Sequence, residues 1–112
     1  MGGRIASQVV AGGVEVDALA LYAYPLHPPG NPNRRRDEHL SAIQVQTLFC
    51  SGTRDSFASP DELQDAARLV RRSTVHTLDA ADHGFSALKS SGRVREDIWT
   101  EAVEVLLDWL PR

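Results

Sequence analysis

Apolar positions recur along this chain in two rhythms, one of helices and one of buried strands. Ala6, Val9 and Val10 share a helical spacing that stops at Gly12 and Gly13, which predicts a first helix over about residues 3 to 11. The cap, turn and strand that ordinarily deliver a chain to such a helix do not precede it, so the expectation is the second part of something larger. Val16 to Tyr24, "VDALALYAY", is a near-continuous apolar run suited to a strand buried on both faces of a parallel sheet. Pro25 to His39 holds four of the 6 prolines and predicts a long irregular loop. Long loops in compact domains tend to be functional or disordered.

Ile43 to Gly52 predicts a second strand with Val45, Leu48, Phe49 and Cys50 as its core. Ser59 to Arg72 carries a serine N-cap, proline at the first helical position, early acids and terminal arginines, all signals of a helix. Thr74 to Ala80 predicts a short third strand. Glu96 to Leu110 places Ile98, Ala102, Val105, Leu106 and Trp109 on one helical face, with Pro111 as the stop. Helices alternating with strands predict an α/β fold with about three parallel strands, one incomplete domain over residues 1–112. Three strands make a small sheet, and the run from Val16 to Tyr24 is apolar enough to want a neighbour on either side.

Composition narrows the function classes. With 112 residues, 42% hydrophobic and 24% charged, the chain is in the ordinary globular range. A net charge of −3 and a pI near 5.7 argue against a nucleic-acid surface. The run Arg34-Arg35-Arg36 is followed at once by Asp37 and Glu38, as in a solvated loop. No apolar run is long enough for a membrane span, and no signal-peptide pattern opens the chain. A single cysteine, Cys50, forbids an internal disulfide and fits a reducing compartment, so the expected location is cytoplasmic.

Candidate chemistry collects after the second and third strands, where sites of open parallel sheets gather. "GTRDSF" carries Asp55 and "DAADHGFS" carries His83, and the two lie 28 residues apart, the length of one helix, one strand and their turns. They would emerge from adjacent strand ends. An aspartate bonded to one nitrogen of a histidine, with the other nitrogen free as a base, is two thirds of a nucleophilic triad. Singly, each residue has a plainer reading: Asp55 as a turn cap and His83 as a loop residue before glycine.

The segments "MGGRIAS", "YPLHPPGNP", "LFCSGTRDSF" and "DHGFSALKSSGR" resemble the carboxyl-terminal half of an α/β-hydrolase. The nearest resemblance is to predicted hydrolases grouped with the dienelactone hydrolases. That branch also contains a scaffold subunit of the non-specific-lethal histone acetyltransferase complex and its testis-expressed relative. The resemblance implies a partial fold lacking the N-terminal strands and the strand of the nucleophile elbow. In that superfamily the nucleophile sits in a G-x-S-x-G turn. Laid onto it, Met1 is the residue after the serine and Gly2 the final glycine, so the serine is expected immediately before Met1. Asp55 would orient His83, and His83 would act as base and then acid for an ester or related acyl bond. Met1 would retain part of the oxyanion hole.

Other residues are weaker candidates. Cys50 reads as a core thiol, Ser51 and Ser56 flank the acid turn, and Ser7 lies along the first helix away from the elbow. His27, in the proline loop that the resemblance places over the site, is a candidate substrate contact; a rigid exposed loop residue is its plainer reading. His39 is similar, and His76 fits a satisfied strand position. Neither a metal-ligand cluster nor a phosphate cradle is evident, so no metal and no cofactor are expected. Three functional readings follow: a serine hydrolase taking a small-molecule acyl substrate, a noncatalytic interaction or scaffold module, and an inactive chain that forms a homodimer through an exposed sheet edge or apolar face.

Overall fold

A computed structural model describes residues 7–8, 11–13 and 16–110. Three strands, β1 (Ala18–Tyr22), β2 (Gln46–Gly52) and β3 (Ser73–Leu78), form one sheet in the order β1-β2-β3. Both pairs are parallel, with Ala20 opposite Leu48 and Gly52 opposite Leu78. This is the three-stranded parallel sheet that the alternating elements predict. Met1 and Gly2, expected as the remnant of the nucleophile elbow, and most of the helix expected over residues 3 to 11 lie outside the described residues; Ser7, Gln8 and Ala11 are helical, and the Gly12 N–H donates to the Gln8 carbonyl at 2.9 Å.

Helix α1 (Pro60–Ala67) connects β2 to β3, and helix α2 (Arg95–Trp109) closes the described fold. Side-chain alternation along the strands divides the core in two. Leu19, Leu21 and Phe49 pack with Leu63, Ala66 and Ala67 of α1, joined by Tyr24, Leu26, Leu40 and Ile43 from the loops. Leu48, Cys50 and Leu78 face the opposite way, against Ile98 and Ala102 of α2. Val105, Leu106 and Trp109 extend that contact, as the spacing predicts. Helices thus cover both faces, which a parallel sheet requires because its connections must cross over.

Several boundaries are corrected. The apolar run from Val16 to Tyr24 yields a strand of only 5 residues, because Ala23 turns out of the sheet at φ 52°. The second strand begins at Gln46 rather than Ile43. A short 3₁₀ helix, Glu38–Ala42, occupies the end of the expected irregular loop. Helix α1 stops at Ala67, so the arginines expected in its last turn lie in the turns that follow. The third strand stops at Leu78, and Ala80 turns at φ 65°. Arg35 belongs to no simple solvated run: it pairs with Asp37 and Asp65, tying the proline loop to α1.

Candidate active site

Asp55 and His83 meet because the turns after β2 and β3 are stitched together by backbone. Thr53 N–H donates to the Leu78 carbonyl, Arg54 N–H to that of Ala81, and Thr53 Oγ1 accepts from Ala80 N–H at 2.9 Å. This close approach requires glycine at the end of β2, since a Cβ on Gly52 would stand 2.1 Å from the Ala81 carbonyl oxygen. The loop carrying His83 is folded on its own aspartate: Asp82 Oδ1 accepts from the Gly84 and Ser86 N–H groups.

The Asp55 carboxylate is fully buried, and the His83 ring is one-third exposed. His83 Nδ1 lies 2.9 and 3.0 Å from the two Asp55 oxygens, so Nδ1 carries the hydrogen and donates. Oδ1 also accepts from the Phe57 N–H at 2.8 Å. Asp55 therefore caps its turn and holds the imidazole with one carboxylate, which unites its two sequence readings. The Phe57 ring stacks on the imidazole with centroids 4.0 Å apart and planes 28° from parallel, fixing the ring's remaining rotation. Among the described residues, no hydroxyl or thiol bonds His83 Nε2. That nitrogen belongs to the ring bordering a cleft lined by Tyr22, Ala23, Gly84, Phe85 and Trp99.

A family model described as an alpha/beta hydrolase domain matches residues 1–111. This chain belongs to that family. With Nδ1 bonded to the Asp55 carboxylate, the other ring nitrogen of His83, Nε2, has no hydrogen-bond partner among the described residues and can accept a hydrogen bond or a proton.

The remaining sequence candidates sit elsewhere. His27 is not an exposed loop residue: it is buried, with Nδ1 2.9 Å from the Pro28 carbonyl and Nε2 2.9 Å from Glu62 Oε1. Burial alone would lower its pKa, but the Glu62 carboxylate and the Pro28 carbonyl outweigh that and raise it. Glu62 is in turn held below the ordinary carboxylate range by His27 and the Ser59 N–H. His27 does not line the cleft beside His83. Its backbone N–H does reach the Phe57 carbonyl at 3.0 Å, so the proline loop braces the segment that stacks on His83.

His39 Nε2 bonds the hydroxyl of the buried Ser7 at 2.7 Å. His76 bonds Glu101 at 2.6 Å, and Arg93 holds the other oxygen of that carboxylate at 2.7 Å. Burial would raise Glu101, but these two partners outweigh it and lower its pKa. Cys50 is a core thiol, pushed up to about 12 by burial and then by the nearby Glu101 charge. Ser51 is buried beside the acid turn and Ser56 is exposed on it. Among the described residues, no group of three or more His, Cys, Asp or Glu side chains is placed to hold a metal ion. None of the helices described is long and apolar enough to cross a membrane. Sequence reasoning missed Phe57 and the aromatic cleft; "DSF" and "HGF" are the only local signals, and neither specifies a ring stack.

Proposed function

We propose that this chain supplies the acid and base of a cytoplasmic serine hydrolase of the dienelactone-hydrolase type, acting on an ester or related acyl bond of a small molecule. The observation that carries the reading is the buried Asp55 carboxylate gripping Nδ1 of a histidine whose ring borders a cleft. In this reading the nucleophile is a serine in the turn ahead of Met1. His83 Nε2 takes the serine proton as Oγ attacks the acyl carbon, then returns it to the leaving oxygen as the acyl C–O bond breaks. Water repeats the sequence on the acyl-enzyme, with His83 again taking and returning one proton. Asp55 keeps its hydrogen bond to Nδ1 throughout and stabilises the imidazolium.

The test is fluorophosphonate labelling of the natively expressed protein. Covalent label is expected on a serine directly ahead of Met1. His83→Ala should lower the labelling rate by about 10³-fold or more, the scale of losing a triad base. Label that persists undiminished in that variant, or a native protein that takes none, overturns the reading.

A noncatalytic, self-associating chain has its own supporting observation. Val103 and Leu107 stand 50% and 58% exposed one turn apart on α2, and Leu110, just past its end, is 40% exposed, so large apolar side chains are left uncovered at this end of the chain. Sedimentation showing a concentration-dependent dimer that Leu107→Glu dissolves would favour it, and a clean monomer at high concentration would remove it.

A further inference from the structure

The cleft beside His83 has a volume of about 180 Å³, and aromatic side chains from three separate elements build it. Tyr22 ends β1, Phe85 follows the histidine loop, and Trp99 lies in the second turn of α2. Their rings are mutually ordered: Tyr22 meets Phe85 edge to face at 6.1 Å, and Phe85 meets Trp99 at 5.3 Å and 60°. The Tyr22 hydroxyl has its proton committed to the Ala102 carbonyl at 2.9 Å. With that proton committed, the His83 ring is the polar edge of an otherwise largely apolar wall.

Two of these lining residues hold a backbone conformation that side chains disfavour. Ala23 has φ 52° and Phe85 φ 64°. Each is clamped: Ala23 N–H donates to the Cys50 carbonyl at 2.8 Å, and Phe85 N–H to that of Asp82 at 3.0 Å. Strain of this kind is retained where surrounding structure fixes it, and such positions cluster at ligand sites. Its effect here is concrete, since the turn at Phe85 brings a ring, 4% exposed, against the histidine's neighbourhood.

Volume and chemistry together select the occupant. An enclosed apolar cavity of about 150 Å³ holds a benzene molecule, and this cleft, though open to solvent, has room for a group of that size. We propose that this cleft is an apolar subsite holding a benzene-sized group of the substrate, a phenyl ring or a branched short acyl chain, with the scissile carbonyl beside His83. The proposal rests on the hydrolase reading for its use and on the cleft alone for its existence.

The experiment is an NMR titration of the chain with benzyl alcohol, following the Trp99 indole N–H and the His83 ring protons, with ethanol as the control that keeps the hydroxyl and removes the ring. Benzyl alcohol is expected to shift both sets saturably and ethanol neither. Trp99 is 48% exposed, so Trp99→Ala leaves the core intact. It should weaken binding about three- to tenfold on the His83 signals, and Trp99→Phe should restore most of it. Shifts that do not saturate, or that are unchanged in Trp99→Ala, overturn the subsite. Saturable binding to a protein that never labels with fluorophosphonate supports the subsite and overturns the hydrolase reading alone; labelling without saturable binding overturns the subsite alone.

Discussion

At the scale of single residues, Gly52 and Cys50 show how position decides chemistry. Gly52 is demanded by contact, because the Ala81 carbonyl occupies the space of a Cβ. Gly52→Ala must separate the two turns that carry Asp55 and His83, and should cost about 2 kcal/mol or more in urea unfolding. A loss under about 0.5 kcal/mol would mean the turns can part freely. Cys50 is buried against α2 with its pKa pushed up to about 12, so little thiolate forms at neutral pH. Iodoacetamide should modify it at the rate of global unfolding; rapid alkylation of the folded chain would contradict that packing. Asp55 illustrates what a residue conceals in isolation, since its Oδ1 serves both the Phe57 turn and His83.

At the scale of elements, α1 is the clearest case of a helix specified locally and used globally. Ser59 accepts from the Glu62 N–H, and Glu62 accepts from the Ser59 N–H, so the capping box satisfies two otherwise unpartnered donors. The same Glu62 oxygen grips His27, so the cap also anchors the proline loop. Ser59→Ala should lower stability by about 1 kcal/mol in urea unfolding. A loss above about 3 kcal/mol would show that releasing Glu62 also frees His27. The amino end of α2 is built differently: its flanking Val94 has no side chain to cap with, and Asp97 instead accepts from the Val94 N–H at 2.9 Å.

At the scale of the whole molecule, ion pairs between distant segments set the pH range of stability. His27 has a raised pKa when folded, so its contribution is complete below its ordinary value of 6.5 and fades as pH rises through the folded value. Glu62 and Glu101 have lowered values, so theirs is complete above 4.5 and fades as pH falls. The urea midpoint is therefore expected to be highest between about pH 4.5 and 6.5. His27→Gln should flatten the decline on the alkaline side of that window. An unchanged slope in this variant would assign the decline to other groups.

The elements were legible in the sequence because periodicity, caps and glycine stops act within a few residues of chain. Ser59-Pro60 and the face from Ile98 to Trp109 needed no distant partner to be read, and parallel pairing followed from the crossovers that parallel strands require. Asp55 and His83 were legible as a pair because each ends at a neighbouring strand. Strand ends were misplaced where Ala23 and Ala80 turn at positive φ, a conformation that alanine does not announce. What only the tertiary structure decided are the pairings that no strand end announces: His27 with Glu62, Ser7 with His39, His76 with Glu101, and the rings of Tyr22, Phe85 and Trp99 around one cleft. Local preference shapes a segment, but a buried charge or an aromatic wall gains its partner only when packing brings another segment beside it.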